Sequence, residues 1–127
     1  MMDAIIRING LDQRLSTKFT NFCLDQLNIK PNILEIEGQD FLQYDRTGMC
    51  LDMDIGHYMI LIKTHNRNLT QIYTTLAHEI VHVKQYMYDN LGYLLDSHKP
   101  PYNERWWEKE ANSKAEELIL KFVQING

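Results

Sequence analysis

Cysteine, proline and glycine are all scarce in this chain of 127 residues, at two, three and six positions. Two thiols, Cys23 and Cys50, are too few for a disulfide framework at this length and read as buried or partly buried free cysteines in a reducing compartment. The prolines stand at Pro31, Pro100 and Pro101. No Gly/Ser-rich linker, low-complexity segment or internal repeat divides the sequence, so residues 1–127 read as one domain. No apolar stretch approaches the length of a membrane span. Met1 to Asn9 holds Asp3 and Arg7 where a secretory leader needs an apolar core. Together these absences predict a cytoplasmic protein without membrane association. A basic surplus is missing too: 13 Lys and Arg stand against 17 Asp and Glu, for a net charge of -4, and the cations are scattered. Dedicated nucleic-acid binding, which needs clustered Lys and Arg on one face, is therefore not expected. The remainder, 44% hydrophobic and 24% charged, is an ordinary globular balance, enough for a core without staples.

What is present is organised as helices and short strands. Leu11, Leu15, Phe19, Phe22, Cys23 and Leu27 recur on one helical face, predicting a helix over about 11–27 that stops before Pro31. Ile33 to Glu37 alternates apolar and acidic residues and reads as a half-buried strand. Met49 to Ile55 and Tyr58 to Lys63 read as two further strands around a turn at Gly56 and His57, the second nearly continuously apolar and so the deeper. A helix follows over about 69–88, with Asn68 or Thr70 as its cap. A polar connector with Asn90, Gly92, Pro100 and Pro101 leads to a last helix over about 104–125, capped by Asn103, with Glu104 at the positive end of its dipole. The expected class is α+β: an N-terminal helix, a small mixed sheet of about three strands and two further helices.

The run HEIVH, residues 78–82, carries the chemistry. Residues four apart on a helix lie one above the other, about 6 Å apart along the axis, so His78 and His82 can reach one ion. Glu79 is the only acidic residue between them. This is the H-E-x-x-H arrangement in which two imidazoles hold zinc and the glutamate acts as general base. Ile72, Leu76, Ile80, Val83 and Met87 form the helix's apolar stripe, and the two histidines fall nearly opposite it. Placed there they are not core fillers, and they face either solvent or a cleft.

A catalytic zinc takes three protein ligands and keeps one position open, so a further His, Asp or Glu is expected downstream. The continuation H-E-x-x-H-x-x-G-x-x-H is excluded, because Gln85 stands where it needs Gly and Tyr88 where it needs His. The last helix offers Glu104, Glu108 and Glu110. Its buried stripe is expected to be Trp107, Ala111, Ala115, Leu118 and Phe122, which puts Glu108 on one flank and Glu110 on the other. Trp106 and Trp107 are expected to anchor this helix by burial, and His57 and His65 to be turn and loop residues.

Glu108, Ala111 and Asn112 match the E-x-x-A/S-D/N pattern of the glutamate helix in gluzincin metallopeptidases, and with HEIVH the chain resembles that family. The element order is similar to the compact minigluzincins and the SprT-like domains. The resemblance implies a zincin-like fold, one Zn2+ held by His78, His82 and Glu108, and Asn112 hydrogen-bonding a zinc-bound histidine from behind. It implies that Glu79 takes a proton from a zinc-activated water and delivers it to the leaving amine of a peptide or protein substrate. Tyr86, Tyr93, His98 and Tyr102 are the candidate donors to the oxyanion. Either of the strands 49–55 and 58–63 could hold substrate as an added strand, and Asp52 and Asp54 would disfavour acidic peptides if they line the cleft. Two other readings compete. One is a regulatory zinc-binding module of the same fold, its cleft plugged by the segment from Asp96 through His98 to Tyr102 or by the tail from Gln124 to Gly127. The other is a metal-dependent hydrolase of non-peptide amides. Retention of Glu79 argues against a purely structural site, which needs ligands but no base.

Overall fold

The computed structural model describes residues 4–97 and 100–126; His98 lies outside them. Among the described residues the architecture is α+β, with four α-helices and one mixed sheet of four strands. In chain order these are β1 (Ile5–Asn9), α1 (Gln13–Leu27), β2 (Ile33–Gln39), β3 (Gly48–Asp52), β4 (His57–Lys63), α2 (Leu69–Tyr88), α3 (Leu91–Asp96) and α4 (Trp106–Asn126). Among the described residues no helix is long and apolar enough to cross a membrane.

The strand order is β1-β2-β4-β3, with β1, β2 and β4 parallel and β3 antiparallel at one edge. Four strands replace the expected three, because Ile5–Asn9 forms an edge strand against β2. Its five residues carry isoleucine on both faces, a pattern too short and too two-sided to read as half-buried alternation. Ile8 is buried beside Leu34 and Ile36 of β2 and Ile60 and Ile62 of β4, and together they form the inner face of the sheet.

The hairpin between β3 and β4 also departs from the expectation. Its first strand stops at Asp52, and the reversal runs through Asp54, Ile55 and Gly56, all with positive φ (74°, 55° and 71°). The apparent alternation up to Ile55 was therefore partly a turn, and Ile55 is 90% exposed. The Gly56 carbonyl accepts from the N–H groups of Asn32 and Ile33, so a Cβ there would run 2.7 Å from the Asn32 amide. His57 belongs to β4, not the turn, and its Nε2 lies 2.6 Å from Glu35 on β2. His65 is in a turn, as expected.

Helix α2 matches its expected bounds because its start is fixed locally. The Asn68 side chain accepts from the Gln71 N–H at 2.8 Å while Gln71 Oε1 accepts from the Asn68 N–H at 3.0 Å, a reciprocal box that chooses Asn68 over Thr70. The helix is covered on two sides. Ile72, Leu76, Ile80 and Val83 are buried as expected, with Met87 partly so, but Tyr73, Ala77, Val81 and Gln85 are buried as well. Helix α4 makes the second cover through Trp107, Ala111, Ala115 and Leu118, all at most 4% exposed.

The connector is more structured than its polar composition suggests. Leu91, 2% exposed, anchors the short α3. Residues Tyr102–Glu104 make one 3-10 turn, and Arg105, with extended backbone (φ -79°, ψ 108°), separates it from α4. The last helix therefore begins at Trp106 rather than Glu104, Asn103 does not cap it, and Glu108 is the acidic residue of its first turn. The Arg105 side chain donates back to the Pro100 carbonyl at 2.9 Å, and its own carbonyl accepts from the N–H groups of Glu108 and Lys109. Trp107 is buried, but Trp106 is 44% exposed and does not anchor the helix by burial.

Candidate metal centre

Helix α2 supplies two imidazoles from consecutive turns, and α4 faces them with a carboxylate from its own first turn. His78 Nε2 and His82 Nε2 are 3.1 Å apart, and Glu108 Oε1 is 3.0 Å from each. Three donor atoms bound to one tetrahedral ion at about 2.0–2.1 Å lie roughly 3.3 Å apart. The observed triangle is slightly tighter and has the donor set that zinc takes in catalytic sites, two imidazole nitrogens and one carboxylate oxygen. Of the three glutamates that the last helix offered, Glu108 alone points here. Glu110 accepts from the Gln85 amide at 2.9 Å and meets Lys84 at 3.6 Å, and Glu104 is exposed in the 3-10 turn.

The electrostatics of the cluster follow from packing anions and imidazoles together away from water. Burial pushes the Glu108 carboxyl up, but hydrogen bonds from His78 and His82 outweigh it and hold it well below the usual carboxylate range. Burial pushes His82 down, yet the hydrogen bond to Glu108 and the charges of Glu79 and Glu108 raise it on balance. Glu79 is 6% exposed, and burial raises its pKa against the pull of both histidines. A carboxylate raised in this way has a stronger hold on a proton, as a general base requires.

Glu79 is pressed against the start of β3. A Cβ on Gly48 would stand 2.8 Å from Glu79 Oε2 and 2.5 Å from the Thr75 methyl, so only glycine allows this strand to pass so close. Thr75 is in turn held by the Arg67 guanidinium at 2.6 Å. Strand β3 also forms one wall of a cleft of about 1040 Å³ that contains His78, Glu79, His82 and Glu108. Met53 N–H donates to the His57 carbonyl and Lys63 N–H to the Thr47 carbonyl, so odd-numbered residues of β3 pair with β4. By the alternation of an antiparallel ladder, Gly48, Cys50 and Asp52 turn their N–H and C=O groups to the open edge. Strand β4 is paired on both sides and offers no such edge, which removes it as a place for an added strand.

The remaining expected residues fall unevenly. Tyr102 Oη donates to Glu108 Oε1 at 3.4 Å, and Tyr86 lines the cleft with its hydroxyl pKa pushed up by burial. Tyr93 is 74% exposed and is not part of the cleft wall. Asp52 and Asp54 do not line the cleft either. Asn112 lies on the cleft wall but hydrogen-bonds neither histidine. The residue behind His82 is Gln85, whose Oε1 is 2.6 Å from Nδ1. Neither Gln85 nor Gly48 emerges from motif reading. The one available signal was a polar residue, three positions after His82, on a side of α2 that also carries the apolar Val81. Compared with family models, curated proteins and solved structures, the chain finds no match.

Proposed function

We propose that the chain is a zinc-dependent peptidase of gluzincin type with a zincin-like fold, acting on peptide or protein segments that enter the cleft in extended form. The observation that carries this reading is the convergence of His78 Nε2, His82 Nε2 and Glu108 Oε1 within about 3 Å of one another beside the buried carboxylate of Glu79. These three residues would hold the ion. When bound, zinc supplies Lewis acidity to a substrate carbonyl and to a water molecule.

The chain's own groups do the rest. Glu79, raised by burial, takes the proton of the attacking water on its carboxylate and passes it to the amine that leaves. Open backbone groups at Gly48 and Cys50 pair with an extended substrate and align its scissile bond over the histidines. Tyr102, whose hydroxyl donates to the Glu108 carboxylate, is the donor we assign to the oxyanion.

The test is metal analysis of wild type and Glu79→Gln in parallel with cleavage of an unstructured protein. About one zinc per chain in both, with cleavage by wild type only, is the expected result. Zinc in both without cleavage by either moves the assignment to a regulatory binding module, and absence of metal from both overturns the metal centre.

A further inference from the structure

Gln85 is fully buried, with 0% of its surface exposed, and all three of its polar functions are in use. Its Nε2 donates to the Trp107 carbonyl at 2.9 Å and to Glu110 Oε1 at 2.9 Å. Both partners are acceptors only, so the amide group cannot be turned over without losing two bonds and facing oxygen with oxygen. Its Oε1 must therefore face His82 Nδ1 at 2.6 Å. An amide oxygen accepts only, so Nδ1 of His82 carries the hydrogen. While the ring is an imidazolium, Nε2 also donates to Glu108 Oε1; once it is neutral, with the hydrogen kept on Nδ1 by the amide that cannot turn, the lone pair of Nε2 lies on the side of His78 Nε2 and Glu108 Oε1.

We propose that Gln85, not Asn112, positions His82 for metal binding: its locked amide selects the Nδ1–H form of the ring and ties the first turns of α4, hence Glu108, to the same point. The inference rests on the reading of His78, His82 and Glu108 as metal ligands. Two consequences follow from one side chain. Once the proton shared with Glu108 is lost, the lone pair that a metal needs is the one facing the other two donor atoms. The carboxylate ligand is also held in register, because Trp107 and Glu110 flank Glu108 on α4. Lys84 braces the same carboxylate of Glu110 at 3.6 Å and joins it to Asp89 at 3.2 Å, so the anchor on α4 is itself fixed.

The experiment uses two substitutions and two readouts. Gln85→Met keeps length and approximate volume but removes the acceptor and both donors. Gln85→Glu restores an acceptor for Nδ1–H and still lacks the donors to α4. In metal-free protein at alkaline pH, nitrogen-15 NMR of the histidine rings reports which nitrogen of His82 holds its proton. Zinc affinity is then measured by chelator competition. Wild type should show Nδ1–H alone, Gln85→Met should lose that preference, and Gln85→Glu should regain it. Zinc affinity should fall roughly 10- to 100-fold in Gln85→Met and stay unchanged in Asn112→Ala. A wild-type His82 protonated on Nε2 overturns the proposal. So does Gln85→Met with unaltered tautomer and affinity, or Asn112→Ala with a loss as large as that of Gln85→Met. If wild type binds no zinc, the metal reading and the affinity half of the proposal fall, while the tautomer measurement still decides whether Gln85 sets the ring. Should Gln85→Met not fold, Gln85→Glu, which keeps the acceptor for Nδ1–H but loses both donors to α4, should keep the Nδ1–H form with weaker zinc binding, and either a changed tautomer or wild-type affinity in it overturns the proposal.

Discussion

Helices α2 and α4 meet at the same three atoms but arrive there by different physics. Helix α2 is specified within itself: a reciprocal cap at Asn68 and Gln71 fixes its start, four-residue spacing superposes His78 on His82, and an apolar stripe seats it on the sheet. Helix α4 has no comparable start. It follows a 3-10 turn and an extended Arg105, and its first turns are located by bonds from Gln85 to Trp107 and Glu110. A local code therefore delivers two imidazoles already in register, whereas the carboxylate depends on contacts made only after the two helices pack.

Three substitutions sharpen that contrast, beginning with the most severe. Glu108→Ala should abolish zinc binding while Glu110→Ala keeps about one zinc per chain; the reverse pattern in metal analysis would exchange the two residues' roles. Gly48→Ala should push Glu79 aside without touching a ligand. Zinc content is then expected to stay constant while the cleavage rate drops on the order of 100-fold, the cost of about 1 Å of misplacement. A Gly48→Ala protein with full activity would mean that β3 yields and that Glu79 does not depend on the strand's close approach. Asn68→Ala tests the locally coded side and should have the smallest effect, about 1 kcal/mol in denaturant unfolding with zinc affinity unchanged. A weakened zinc site in that variant would show that the cap at the far end of α2 also sets the ligand register.

Much of the site was legible in advance, and the parts that were not share a cause. HEIVH announces its own geometry because helical periodicity is an interaction among near neighbours. Glu108 was singled out among three glutamates only by resemblance to a pattern, and its meeting with His82 spans 26 residues of chain. The same pattern pointed to Asn112 behind a histidine, but Asn112 bonds neither ring, and Gln85 is the residue behind His82. A short polar spacing cannot say which side of a helix a neighbour will cover. Strand β1 was missed because five residues with isoleucine on both faces carry no clean alternation. The strands around the hairpin were found, but their ends were not, since three consecutive positive-φ residues at Asp54, Ile55 and Gly56 turn the chain where an alternating pattern seemed to continue. The start of α4 was misplaced because Asn103 resembles a cap, while the two prolines before it and the back-bond from Arg105 to Pro100 favour a separate turn.

The sequence by itself determined that two imidazoles share one face of a capped helix with a glutamate beside them, because those relations are set by bonds and sterics within about four residues. The tertiary structure alone decided which carboxylate completes the triangle, which amide fixes His82, that glycine lets β3 pass against Glu79, and that β3 rather than β4 is the open edge. Each of these is a relation between segments distant in the chain, and it comes into being only when burial of the apolar faces of α2, α4 and the sheet brings them together.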